Sequence, residues 1–204
     1  VAISADGKYI TAGSADKKVY FFDKDNSTPL WSYETGWTVR SVAISADGEY
    51  IAAGASGGND GKVYLFDKDS STPLWSYDSG DDVRSVAISA DGEYIATTSN
   101  IFIDRVFLFG KNSSVPLWSY ESIFGAQSVS ISANGEYIAA GSYDQFVYFF
   151  NKDGSTPLWS YGTEGPVDSV SISADGKYIV AGSDDGNVYL FDNNISQNSG
   201  GGDG

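Results

Sequence analysis

The sequence predicts an all-β chain made of one repeated unit, and three observations carry that prediction. Near-copies of the stretch 41–77 (SVAISADGEYIAAGASGGNDGKVYLFDKDSSTPLWSY) fill residues 1–33, 85–120, 128–161 and, in shortened form, 169–192. A turn pair recurs at Asp6-Gly7, Asp47-Gly48, Asp91-Gly92, Asn134-Gly135 and Asp175-Gly176, at intervals of 41, 44, 43 and 41 residues. No window has an apolar period of 3.6; short runs rich in Val, Ile, Tyr, Phe and Trp alternate instead with Gly, Asp, Ser and Pro. A period of this length marks a stacked or radial array.

The elements follow in order within the second unit. A first run, 41–45, alternates Val42 and Ile44 with small residues. Asp47-Gly48 then makes a hairpin turn, because Gly supplies the positive φ that such a turn needs. The second run is 49–54, with Tyr50 and Ile51, and a loop of variable length leads to the third run, 62–66. The segment 67–73, ending in Pro73, turns the chain into a fourth run, 74–77. Units 1–33, 85–120 and 128–161 repeat this plan, and unit 169–192 stops after its third run. Residues 193–204 (NNISQNSGGGDG) read as a flexible Gly/Asn/Ser-rich tail.

Four antiparallel strands in about 42 residues describe one blade of a β-propeller. The residue types fit a wedge that is narrow at the axis and wide at the rim. Ala43, Ala87, Ser130 and Ser171 sit in the innermost strand, whereas Tyr64, Leu65, Phe66 and Trp75 with their equivalents supply bulk outside. The repeated aromatics therefore read as the packing between blades. The expectation is five blades, the last lacking its outer strand, with a larger seven- or eight-bladed ring as the alternative. The missing strand could come from sequence beyond this chain or from a neighbouring molecule, since an unpaired edge at 188–191 is a template for strand addition.

The portion SVAISADGEYIAAG followed by VYLFD resembles WD-repeat blades, with Phe22-Asp23, Phe66-Asp67 and Phe191-Asp192 in place of Trp-Asp. The STPLWSY portion is similar to repeats of PQQ-like propellers, in which the resemblance implies a Trp that locks adjacent blades. The chain also resembles the repetitive propeller proteins of methanogenic archaea, many of them predicted to be surface-associated. The Thr-Gly pair of the PQQ-like turn is absent, so the resemblance carries over no quinone, metal or redox activity, and no cofactor is expected.

Composition narrows the function. The chain has no Cys and no His, which excludes disulfides, thiolate chemistry and His-based acid–base catalysis. A net charge of −15 repels phosphate backbones, so nucleic acid is not an expected partner. No run of 18 apolar residues exists, so membrane insertion is not expected. The chain begins at Val1 inside a strand pattern and reads as a processed or excerpted piece, which leaves its compartment open.

The copies differ on one face only. Turns between first and second runs and between third and fourth runs are nearly constant, whereas the loops 15–18, 55–61, 99–104, 143–146 and 184–187 and the inter-unit loops 34–39, 78–83, 121–126 and 162–167 vary. Function concentrates in loops on a rigid scaffold. The variable face also holds apolar residues that the repeat does not require: Trp37, Ile101, Phe102, Ile103, Ile123, Phe124, Tyr143 and Phe146. They form either a local mini-core or a docking patch for a protein, another copy or a ligand. Arg40, Arg84, Gln127 and Asp168, just before the first runs, form a second candidate at the mouth of the central channel. There two Arg side chains could hold an anion, or pair with Asp81, Asp82 or Asp168.

Three weaker signals complete the reading. Asp23-x-Asp25-x-Ser27, Asp67-x-Asp69-x-Ser71 and Asn151-x-Asp153-x-Ser155 begin like a Ca²⁺ loop, but the Gly at position six is missing. The fourth run would also carry Glu34 about 17 Å away at ~3.3 Å per residue, so a hairpin turn explains these residues better and at most weak Ca²⁺ binding is expected. Sequons at Asn26, Asn112 and Asn194 are compatible with an extracellular or cell-surface protein. The leading expectation is a non-catalytic scaffold that binds a protein partner or self-associates. The alternative is a carbohydrate-binding, lectin-like propeller. A glycosidase would need two carboxylates in a cleft, and only Asp168 lies near the mouth, with no partner evident.

Overall fold

The computed structural model describes residues 1–57, 60–100, 104–121 and 124–193. Among them nineteen strands form five antiparallel sheets and there is no helix. Blade 1 contains β1 (Ala2–Ile3), β2 (Tyr9–Gly13), β3 (Lys18–Asp23) and β4 (Trp31–Glu34). Blade 2 contains β5 (Thr38–Ile44), β6 (Tyr50–Ser56), β7 (Lys62–Asp67) and β8 (Trp75–Asp78). Blade 3 runs through β9 (Val83–Ile88), β10 (Tyr94–Ser99), β11 (Arg105–Gly110) and β12 (Pro116–Glu121). Blade 4 has β13 (Ala126–Ile131), β14 (Tyr137–Ser142), β15 (Phe146–Asn151) and β16 (Trp159–Gly162). Blade 5 has three strands, β17 (Val167–Ile172), β18 (Tyr178–Ser183) and β19 (Val188–Asp192).

Each Asp-Gly turn closes by the same local chemistry. In blade 2 the Ser45 hydroxyl donates to Asp47 Oδ1 at 2.6 Å, the same oxygen accepts the Glu49 amide at 3.0 Å, and Ser45 Oγ accepts the Tyr50 amide. Gly48 supplies φ 76°, a conformation that costs an L side chain energy. These turns also stitch the blades in a row. The amides of Ala5, Ala46, Ala90 and Ala133 donate to the carbonyls of Ala46, Ala90, Ala133 and Ala174 in the next blade, at 2.9–3.0 Å.

Apolar packing between blades forms four cores. Val19 and Phe21 of blade 1 pack on Val39, Val42, Ile51 and Phe66 of blade 2, and the same arrangement recurs down to blades 4 and 5. Trp31 lies between Phe21 of its own blade and Phe66 of the next, with ring centroids 5.2 and 5.3 Å away. Its indole N–H donates to the Lys68 carbonyl at 2.8 Å, and Trp75 and Trp118 do the same to Lys111 and Lys152. The Trp residues thus lock neighbouring blades at the rim, as the resemblance implied.

Close approach at the axis depends on a small residue facing a larger one. A Cβ on Gly13, Gly54 or Gly141 would meet a methyl of Val39, Val83 or Val167 at 2.4–2.6 Å. Blade 3 carries Thr98 at this place, and the next blade answers with Ala126 in place of Val. Bulk is conserved across the joint while its side changes. Serine hydroxyls add a polar link here, since Ser41, Ser85 and Ser128 Oγ accept the amides of Val86, Val129 and Val170 at 3.0, 3.3 and 3.1 Å.

The innermost strands start earlier than the alternation predicts. β5 begins at Thr38, not at Ser41, and its ladder to β6 shifts register between Val39 and Ser41. Val39 points into the core at 4% exposure, so pairing continues through the polar Arg40 by way of a β-bulge. Among the described residues no comparable interface joins blade 5 back to blade 1. Val1, Ile3, Val180, Val188 and Leu190 remain exposed at the two ends of the row.

Candidate functional site

The variable face is built on the inter-blade loops, and three of them are each held by one hydroxyl. Thr35 Oγ1 lies 3.0 Å from the Lys17 carbonyl and 2.7 Å from that of Trp37. Ser79 spans the Gly61 and Asp81 carbonyls, and Thr163 those of Gln145 and Gly165. The strand register makes Trp37, Asp81, Phe124 and Gly165 equivalent positions in this loop, with Trp37 and Phe124 exposed and Asp81 and Gly165 buried. The backbone differs between these loops as well, since the left-handed residue is Gly36 or Gly80 in the first two and Gly125 in the third.

Phe124 is 66% exposed and Tyr143 is 47% exposed. The Tyr143 amide donates to the Gly125 carbonyl at 3.0 Å, which ties its loop to the crest of the preceding joint. Phe124, Gly125, Tyr143, Asn100 and Asp104 line a shallow depression of about 300 Å³. Phe146 is partly exposed on the same loop and stacks on Tyr148 at 5.9 Å. Trp37 lies apart, against Gly57 of blade 2 and beneath the Lys17 ammonium at 5.8 Å. The structure thus brings Phe124 and Tyr143 together at one depression, sets Phe146 beside Tyr148 and Gly162, and holds Trp37 apart. Ile101, Phe102, Ile103 and Ile123 lie outside the described residues. Exposed loop aromatics do not recur in every unit.

A second set of side chains anchors these loops and was not singled out from sequence. The hydroxyls of Tyr20, Tyr148 and Tyr189 donate to Asp16, Asp144 and Asp185 at 2.5, 2.8 and 2.7 Å. The bonds hold the Asp16 and Asp185 carboxyls below the usual range, while burial and then Asp144 raise the Tyr148 hydroxyl. Blade 2 also has an Asp four residues before its Tyr, Asp60, but Tyr64 donates instead to the Thr35 carbonyl at 3.1 Å; burial pushes it up to about 12. An Asp stands four residues before a Tyr in four units, and in three of them the two side chains form this clasp.

Arg40, Arg84, Gln127 and Asp168 do not precede the innermost strands, as the sequence reading placed them. Each is the extra residue of a bulge within β5, β9, β13 or β17, because the Val or Ala before it must reach the core. The bulge turns one polar side chain per blade out of the ladder at equivalent places. Arg84 Nη2 lies 4.0 Å from Asp82 Oδ2, which is the pairing weighed above. Arg84 Nε and Gln127 Nε2 are buried nitrogens without a hydrogen-bond partner among the described residues. Asp168 does have a carboxylate neighbour, which corrects the sequence reading. The β17–β18 hairpin brings Asp184 alongside, and burial followed by that hydrogen-bonded neighbour raises the Asp168 carboxyl.

The three Ca²⁺-like segments are turns in which the first side chain caps the backbone. Asp23, Asp67 and Asn151 Oδ1 each accept the amide two residues on, at 2.9 Å. Lys24 pairs with Asp25 and Lys152 with Asp153. Among the described residues no three acidic side chains come together as a metal site.

Five four-stranded or three-stranded blades packed one on the next, with variable loops on one face, have the architecture of a β-propeller. The family model for the WD domain, G-beta repeat, matches residues 1–23, 27–67, 71–105, 121–151 and 155–192, and the chain belongs to this family. No protein of curated function matches the chain. The matches over 27–67 and 155–192 run from the outer strand of one blade to the third strand of the next and so span a joint between blades.

Proposed function

We propose that this protein is a non-catalytic propeller scaffold that docks a protein partner on its variable face. The observation that carries the reading is the exposed pair Phe124 and Tyr143 at the depression between blades 3 and 4. Large aromatics on a rigid frame, bordered by polar groups such as Asn100 and Asp104, are the usual anchors of a protein interface. WD repeats suggest the same general role. The chain also lacks the His and Cys side chains that most catalytic constellations use. A location outside the cell belongs to this proposal and rests on exposed sequons at Asn26 and Asn112.

The test places a photo-reactive phenylalanine analogue at position 124 or, as a control on the opposite face, at position 112. Discrete adducts from position 124 that are absent from position 112 support the reading. Absence of adducts at both positions, or the same adducts at both, overturns it. Phe124→Ser with Tyr143→Ser is expected to leave the Tm unchanged. A lowered Tm would identify the aromatics as a local core and count against docking.

A further inference from the structure

The charges of the variable face are not evenly mixed. Through blade 3 this face carries Lys17, Lys18, Arg40, Lys62, Arg84 and Arg105 among its carboxylates. Beyond Arg105 it carries Glu121, Asp144, Glu164, Asp168, Asp184 and Asp185 and no basic side chain. The later lysines, Lys111, Lys152 and Lys177, stand in turns on the opposite face, where the first two pair with Glu93 and Glu136. Arg105 itself pairs with Glu121 at 3.6 Å. Asp144 and Asp185 accept the Tyr148 and Tyr189 hydroxyls. Glu164, Asp168 and Asp184 are exposed, and among the described residues none of them forms an ion pair. Asp168 and Asp184 stand side by side, and like charges so placed are relieved by a cation from outside.

This acidic stretch adjoins the apolar one. Phe124 and Tyr143 line the depression at the joint of blades 3 and 4. Glu164, Asp168 and Asp184 stand at the next joint, between blades 4 and 5, where the Glu164 amide donates to Asp185 Oδ2 at 3.1 Å. We infer that the partner docked on this face is a basic segment of polypeptide. An apolar side chain seats in the depression between Phe124 and Tyr143, and Lys or Arg side chains beside it lie toward blade 5 against Glu164, Asp168 and Asp184. The inference rests on the docking proposed above and adds the chemistry of the partner to it. Apolar contact supplies the anchor. The carboxylates supply direction and selection, because a segment lying the other way would bring its cations toward Arg84 and Arg105 of blade 3. A net charge of −15 speeds the approach of such a segment and turns acidic ones away.

The probe is a phage-displayed library of random dodecapeptides, selected on the immobilised 204-residue protein. The expected outcome is enrichment of sequences that join an aromatic or aliphatic residue to Lys or Arg. A synthetic peptide of the enriched sequence should lose its binding to the variant Phe124→Ser with Tyr143→Ser. It should bind about tenfold more weakly when Glu164→Gln, Asp168→Asn and Asp184→Asn are combined, since each exposed charge pair contributes a few-fold. Asp25→Asn, Asp69→Asn and Asp153→Asn together remove the same net charge from the opposite face and should change the affinity less than about twofold, because salt screens distant charges. All six carboxylates are exposed, so both triple variants are expected to stay folded. Equal weakening by the two triple variants would reduce the effect to net charge and overturn the inference. So would enriched peptides that need Phe124 and Tyr143 but carry no basic residue, an outcome that leaves docking on the variable face standing. No enrichment, or enriched peptides indifferent to Phe124 and Tyr143, would overturn both.

Discussion

Blades 2 and 5 are close copies in sequence and opposites in environment. Both carry the Asp-Gly turn, the Tyr-Ile second strand and the Val-Tyr-Leu-Phe third strand. In blade 2 both faces of β6 and β7 are covered, by blade 1 on one side and blade 3 on the other. In blade 5 Ile179 and Ala181 are buried against blade 4, while Val180, Val188 and Leu190 on the other face are exposed. The same residues thus make a core in one place and a surface in the other. A blade of this protein is stabilised mainly by its joints, as expected of an array in which each unit contacts only its neighbours.

The largest expected effect breaks this comparison at one leucine. Leu65→Ala is expected to cost about 2–5 kcal/mol, the range for emptying a packed core position. Leu190→Ala should cost less than about 0.5 kcal/mol, as a surface change does. Urea denaturation of the two variants measures the difference directly; equal losses would mean that the exposed face of blade 5 is covered in solution. A smaller effect sharpens the comparison at the axis. Gly54→Ala drives a Cβ into Val83 at 2.4 Å and is expected to cost about 1–3 kcal/mol, the range for overpacking. Adding Val83→Ala should recover part of that loss, because blade 3 already uses the Thr98–Ala126 combination. Gly182→Ala, whose Cβ would meet only Ser169 Oγ at 3.3 Å, should be close to neutral. A double-mutant cycle on Gly54 and Val83 reads the coupling.

Hydrogen exchange extends the contrast from single residues to whole blades. Amides of β18 and β19 are expected to exchange faster than those of β6 and β7, since one face of blade 5 lacks the packing that raises the opening free energy. Equal protection would mean that the fifth blade opens only with the rest of the array.

The repeat made the blade count and the short fifth blade legible, because every strand is bounded by a turn signal that does not depend on distant contacts. The bulge at Arg40 was hidden for the opposite reason. A polar residue between Val39 and Ser41 reads as a loop. Only the contact of Val39 with Gly13 in the preceding blade shows that the strand continues past it. Asp184 was missed as a neighbour of Asp168 for a similar reason, since hairpin register and not spacing brings them together. Phe124 and Tyr143 could be found from sequence because they break the repeat. Their separation from Trp37 could not, as it depends on which joint each loop crowns.

Acid distinguishes the blades by the residue in the turn, with the smallest expected effects. Hydrogen bonds from Ser4 and Ser173 hold the Asp6 and Asp175 carboxyls below their ordinary range, and the Asp47 carboxyl is lowered too, against its burial, by Ser45 and the turn amides. A carboxyl lowered in the folded state contributes stability above its unfolded pKa of about 3.9 and loses it as the pH falls through the folded value. Blade 4 has Asn134 in this place, which makes the same bonds at 2.7 and 3.1 Å and does not titrate there. Asp168 works in the opposite sense. Its pKa is raised by burial and by Asp184, so its ionisation opposes folding at neutral pH, and that opposition fades as the pH falls through the raised value. Asp168→Asn is therefore expected to raise the Tm slightly at pH 7 and not at pH 3. Asp175→Asn should protect the β17–β18 hairpin below pH 4 and do little at pH 7. Relief of the net charge of −15 in acid is nearly common to all these variants, so the differences between their Tm–pH curves isolate the two groups. Curves for Asp175→Asn and the unaltered protein that stay parallel through pH 3–5 would show that the turn carboxyl in the least supported blade does not contribute to holding it shut.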